Sequence, residues 1–291
     1  MLYSSVLTLR AREERPAQTN MGYQVYAAVL ALVEEADPAL ASALHDTDGP
    51  KPLTVSPLWR TRHRLSSGND DGQGNLHHIR ITALSDEAFA ALARSVLEHD
   101  PAEPMRVGEA SFDLVRLATT PTESRLAACT SFKALLQEAE PSPTIGLRFL
   151  TPTTFRSGGR RNVIFPEPGL LFRSYLARWN ALSPERLPES LGEVASERLF
   201  IARYALRTAM LDFGSYSEAG FVGSCEVRAQ EGTPAEALCA FQALASLAFF
   251  AGTGAKTAMG MGQTRGWEVE KEGNPRKGIG TRLPPEPLAA G

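Results

Sequence analysis

Residues 234–271 read PAEALCAFQALASLAFFAGTGAKTAMGMGQTRGWEVEK, and the order of elements within that stretch decides the fold. Pro234 stands just inside the start of a helix, which the apolar spacing of Leu238, Phe241, Ala245 and Phe249 carries to Phe250. A glycine-rich segment, GTGAKTAMGMG at 252–262, follows it, and Gln263–Lys271 reads as a strand. The common phosphate loops run from a strand into a helix, so a helix passing to a strand through glycines has the opposite sense. Their spacing is wrong too: GxxxxGK[ST] needs a glycine directly before Lys256, and GxGxxG needs one where Thr257 stands. Upstream, Leu199–Phe213 and Phe221–Ala229 are two strands around GSYSEAG, preceded by the helix Pro168–Leu182 and the strand Thr144–Leu150. The order is β-α-β-β-α-β.

The first half repeats it. Leu2–Leu9 is a strand, and 22–36 a helix with Tyr26, Val29, Leu30 and Val33 on one face. Asp37-Pro38 interrupts that helix, because the residue before a proline disfavours the helical region; a short piece, Ala39–Leu44, follows. Lys51–Leu58 and Asn75–Leu84 are strands, Ser85-Asp86-Glu87 opens a helix that runs to about Leu97, and Met105–Leu117 is the last strand or bulged pair. Two copies of one order specify an α+β chain of two tandem ferredoxin-like (RRM-like, βαββαβ) domains. They are expected at 1–140 and 141–271, joined by TSFKALLQEAEPSP (130–143), with a loose Pro/Gly-rich tail over 272–291.

Charge narrows the function classes. Lys and Arg total 30 against 33 Asp and Glu, which excludes a chain that grips nucleic acid over its whole surface but leaves room for a local basic groove. Such strips exist. Residues 145–178 hold Arg148, Arg156, Arg160, Arg161, Arg173 and Arg178 against Glu167 alone, and Arg60, Arg62 and Arg64 cluster around His63. Arg203 and Arg207 share a face of one expected strand. Arginine-dense strips on a near-neutral protein suit a phosphate backbone. The three cysteines lie too far apart in sequence to read as a disulfide scaffold, which favours a reducing, cytoplasmic setting. The most apolar run, Ala243–Ala251, is nine residues long, well short of the roughly 20 a membrane span needs. MLYSSVLTLR lacks the basic start and small-residue cleavage site of a signal peptide.

Gly252, Gly254, Gly260 and Gly262 surround Lys256 and, with Thr257, form a candidate polyanion cradle, since glycine lets backbone N–H groups approach a ligand closely. The competing reading is a mobile loop or a packing device. None of the histidines shows HxxxH or Cys/His ligand spacing, so no metal or cofactor is expected. His77 and His78 are adjacent in a strand and point to opposite faces. His45, in LHDTDGPKPLTVSP (44–57), ends a helical region just before Lys51 and is the best-placed group for acid–base chemistry near neutral pH.

Taken in order, LHD…KPLTVSPL (44–58), TPTTFR (151–156), FPEPGLLFRSYLARWN (165–180), GFVG (220–223) and GTGAKTAMGMGQ (252–263) resemble the CRISPR-associated repeat-processing endoribonucleases of the RAMP superfamily. The resemblance runs from about residue 1 to 270. It implies two ferredoxin-like domains, a role in antiviral defence, and metal-independent cleavage of precursor CRISPR RNA within each repeat by 2′-hydroxyl attack, leaving a 2′,3′-cyclic phosphate and a 5′-hydroxyl. It further implies His45 as general acid or base and Lys51 as stabiliser of the charged transition state, with Tyr23 or Tyr26 as a third member. The glycine loop and Arg62, Arg64, Arg156, Arg160 and Arg161 would hold RNA. Repeat RNA is the implied partner, with effector-complex subunits or a second copy of the chain as further ones. The competing function is a non-cleaving subunit that holds guide RNA in such a complex.

Overall fold

The computed structural model describes residues 1–13, 21–46, 49–60, 76–157 and 161–266. In the first half, β1 (Leu2–Ala11) leads to α1 (Gly22–Ala36) and α2 (Pro38–Asp46), then β2 (Leu53–Val55), β3 (Trp59–Arg60) and β4 (Leu76–Ala83). Helix α3 (Asp86–Glu98), β5 (Met105–Val107), β6 (Ala110–Ala118), β7 (Ala128–Thr130) and α4 (Phe132–Gln137) complete it. The second half runs β8 (Thr144–Thr153), β9 (Phe155–Ser157), β10 (Arg161–Val163), α5 (Pro168–Leu182), α6 (Leu191–Arg198), β11 (Leu199–Asp212), β12 (Ser217–Ala229), α7 (Ala235–Ala251) and β13 (Thr264–Gly266). The sheets are antiparallel, ordered β2-β4-β1-β6-β5 and β11-β12-β8-β13. Each places its first strand between its third and its last, the ferredoxin-like arrangement, twice over.

The expected order holds, with differences that have physical causes. The segment read as a linker begins on the last residue of β7 and carries α4, which the prolines at its end disguise; Ser131 caps α4 by accepting from Ala134 N at 3.0 Å. Phe132 then packs edge-on against Trp179 of α5 at 5.0 Å, so α4 shares the core of the second half. Helix α6 and the β9–β10 hairpin are short and polar, and periodicity gives no warning of them. The tail and the last residues of the final expected strand lie outside the described residues, as do Arg62, His63, Arg64 and Arg160.

Helix α1 buries Val25, Tyr26, Val29, Leu32 and Val33 against Ala91 and Leu92 of α3 and the sheet residues Leu7, Leu9, Ile79 and Ile81. Helix α7 is apolar nearly all round, the pattern of a central helix. It meets both sheets, and β4 closes its end: Thr82 Oγ1 donates to Phe250 O at 2.6 Å, and Arg80 Nη2 donates to Phe249 O. The Arg80 guanidinium lies 4.0 Å over the Phe249 ring and also donates to Gln263 Oε1 at 2.7 Å and Ser4 Oγ at 2.8 Å. Burial pushes its pKa down to about 9, so it remains a cation at neutral pH, held at the negative end of a helix dipole.

His77 and His78 do face opposite ways. His77 is buried edge-on to Phe112 on the helix side, while His78 meets Thr8 Oγ1 at 3.2 Å on the other. Burial, with the charges of His77 and Arg116, lowers the His78 pKa to about 4. The unfolded chain therefore takes up a proton that the folded one refuses between pH 6.5 and 4. Stability is expected to fall as pH drops through that window, and His78→Gln to flatten the slope in urea midpoints measured across it.

Candidate active site

The sequence LHD at 44–46 ends α2, and two side chains converge on that end. Tyr26 sits on the buried face of α1, and its hydroxyl donates to Leu44 O at 3.2 Å. Lys51, on the approach to β2, donates through Nζ to the same carbonyl and to His45 O at 3.0 Å. The last carbonyls of a helix have no partner within it, so a lysine and a tyrosine here fix the helix terminus and favour its negative dipole end. Burial pushes the Tyr26 phenol pKa up. Tyr23, also near the start of α1, is 51% exposed.

The backbone node leaves the imidazole free to work. The His45 side chain is 73% exposed, and its Nδ1 lies 3.0 Å from Asp46 Oδ1. An ionised carboxylate only accepts, so Nδ1 carries a hydrogen, and in the neutral imidazole Nε2 is left as the acceptor. The His45 hydrogen bond, aided by Ser42, holds the Asp46 carboxyl below the usual range. Motif reading misses Asp46, although an acid adjacent to the candidate histidine is signal enough for an orienting group. Lys51 uses two of its three donors on partners among the described residues.

The glycine loop is not an open cradle. Residues 252–254 and 260–262 are buried. Gly252, Gly254, Gly260 and Gly262 all have positive φ, and a Cβ on Gly254 or Gly262 would lie 2.2 Å from Thr154 O or 2.0 Å from Thr253 O. The loop's start is tied by Thr253 Oγ1 to the Tyr175 hydroxyl at 2.8 Å and to Thr264 Oγ1 at 2.7 Å. Arg178 Nη2 donates to Gly254 O. Arg178, counted in the basic strip, is thus a half-buried anchor. Lys256, the non-glycine residue at positive φ among those described, pairs with Glu218, donates to Tyr216 Oη at 3.1 Å, and lies over the Phe213 and Tyr216 rings. Thr257 is buried. The packing reading of the glycines is therefore the one their surroundings carry: their freedom serves backbone-to-backbone approach. The loop's far side abuts the start of α1, because a Cβ on Gly22, its first residue, would meet Met259 O at 2.0 Å. Arg156 and Arg161, on β9 and β10, are exposed.

Two family models match the chain: the CRISPR Cas6 N-terminal domain over residues 1–137, and the CRISPR-associated endoribonuclease Cas6 over 147–264. A product complex of Cas6 (TTHB231) is 31% identical, with a TM-score of 0.79, and the match covers 92% of this chain and 100% of that one. The chain belongs to the Cas6 family of CRISPR-associated endoribonucleases. A second Thermus thermophilus Cas6 (TTHB231) structure is 30% identical, covering 92% of this chain and 98% of that one at a TM-score of 0.71. A Cas6 (TTHA0078) product complex is 26% identical, covering 92% and 99% at 0.73. A RAMP protein binding different RNA substrates, at 16% identity and a TM-score of 0.58, shares the fold. Comparison with curated protein sequences gives no match. Among the described residues, no group of His, Cys, Asp and Glu is arranged to hold a metal ion, and no helix is long and apolar enough to cross a membrane.

Proposed function

We propose that this Cas6 family member cuts precursor CRISPR RNA within its repeats, using the ribose 2′-hydroxyl upstream of the scissile phosphate as nucleophile and no metal ion. The observation that carries this reading is the exposed His45 imidazole, aimed by Asp46 and seated beside a half-exposed lysine amine. The nucleophile's proton must leave and the departing 5′-oxygen must gain one; His45 Nε2 performs one of these transfers. Lys51 offers its remaining N–H to the phosphorane oxygens, where fixed charge is worth most as negative charge builds. Two of its hydrogens already pin it to α2, so little reorganisation is required. Tyr23 is the tyrosine within reach of an incoming strand, while Tyr26 holds α2 in place. Arg156 and Arg161 offer further charge to the backbone, and the glycine loop supports the site from behind.

The test is incubation with the repeat RNA of its own genome in EDTA, followed by analysis of the product ends. A 2′,3′-cyclic phosphate and a 5′-hydroxyl are expected. A 3′-hydroxyl product, or a requirement for divalent metal, overturns the mechanism; tight binding with intact RNA makes the chain a guide-holding subunit instead.

A further inference from the structure

The turn between β11 and β12 holds a feature that the cleavage chemistry does not use. Tyr216 is 49% exposed, and its ring lies nearly parallel to Phe213, with centroids 5.0 Å apart and 14° between planes. Phe213 is itself buried, in a cluster with Leu211 and Met261. Its N–H closes the turn on Tyr216 O at 2.9 Å. Lys256 Nζ donates to the Tyr216 hydroxyl at 3.1 Å and stands 4.5 Å from the ring centroid. One aromatic face is thus backed by the core, the hydroxyl is tethered, and much of the residue still meets solvent.

The surroundings state what fits. Glu218, two residues along β12, is occupied by Lys256 and by Asn162 Nδ2 at 3.0 Å, and Asp212 Oδ1 accepts from Gly214 N of the turn at 2.8 Å. Arg156 is directly opposite Asn162 in the β9–β10 register, and side chains of such pairs share a face. Arg156 is exposed. An aromatic plane linked to an arginine through Lys256, Glu218 and Asn162, with Glu218 paired, suits a nucleotide: base against the ring, phosphate against the guanidinium.

We propose that Tyr216 is a stacking platform for one unpaired nucleobase of the bound RNA, with Arg156 holding an adjacent phosphate. This rests on the reading of the chain as a repeat-RNA nuclease. Because the ring is already immobilised, stacking loses little conformational entropy. The experiment titrates the full chain into repeat RNA carrying 2-aminopurine at one position at a time. Wild type and Tyr216→Phe are expected to quench one position that Tyr216→Ala does not, with Tyr216→Ala binding about ten- to a hundredfold more weakly. Unchanged urea midpoints confirm that the alanine variant is folded. If Tyr216→Phe loses as much affinity as Tyr216→Ala, the residue serves Lys256 through its hydroxyl and the proposal fails. If Tyr216→Ala matches wild type in affinity and quenching while both cut the repeat, stacking alone is overturned. A wild-type protein that neither binds nor cuts the repeat overturns both readings together.

Discussion

His45→Ala is expected to slow repeat cleavage by about 10²–10⁴-fold, the usual share of a positioned acid or base. Affinity for uncut repeat RNA should be largely retained, and folding stability should stay within about 0.5 kcal/mol, as for most exposed substitutions. The side chain makes its hydrogen bond to its own neighbour, Asp46, so its removal leaves no buried group unpaired. Lys51 and Tyr26 hold Leu44 O and His45 O through the backbone, and the alanine variant keeps those carbonyls. Single-turnover cleavage rates alongside binding titrations separate the two quantities. Equal rates for variant and wild type would remove His45 from the chemistry. A parallel loss of affinity would make it a binding residue.

Gly254→Val should destabilise the protein by about 3–5 kcal/mol, the sum of a forced positive φ and an overpacked contact. The Cβ would land 2.2 Å from Thr154 O, the acceptor for Ala255 N at 2.8 Å, so relief requires breaking that bond. Gly232 provides the control. Its φ is +80° and no atom lies within 4 Å of where a Cβ would stand, so Gly232→Val isolates the backbone cost, about 1–3 kcal/mol. Urea midpoints of the two variants measure the difference. A normal midpoint for Gly254→Val combined with lost RNA affinity would return the loop to direct RNA contact.

The architecture is legible in the sequence because alternation and helical spacing reflect burial, and both halves bury the same elements. Pro168–Leu182 is readable to the residue, with a proline at one end and Trp179 and Tyr175 along its buried face. The glycine loop is harder for a physical reason. Glycine permits close approach without specifying what approaches, and here Thr154 O, Thr253 O and Pro57 lie closest to where a Cβ would stand. Arg178 is similarly ambiguous, since charge counting along a chain cannot separate a guanidinium facing solvent from one donating to Gly254 O. Proximity in sequence is enough to place His45 and Lys51 together. That Lys51 grips the very helix bearing His45 depends on where β2 returns, which spacing alone does not specify.

The manner in which β4 closes α7 has a bearing on how the molecule is made. As the chain leaves the ribosome, the strand carrying Arg80 and Thr82 emerges some 170 residues before the carbonyls of Phe249 and Phe250. Newly synthesised protein folds from the leading end. The last long helix therefore docks onto donors already in place, and until it arrives the Arg80 cation has only water to meet most of its hydrogen-bonding capacity.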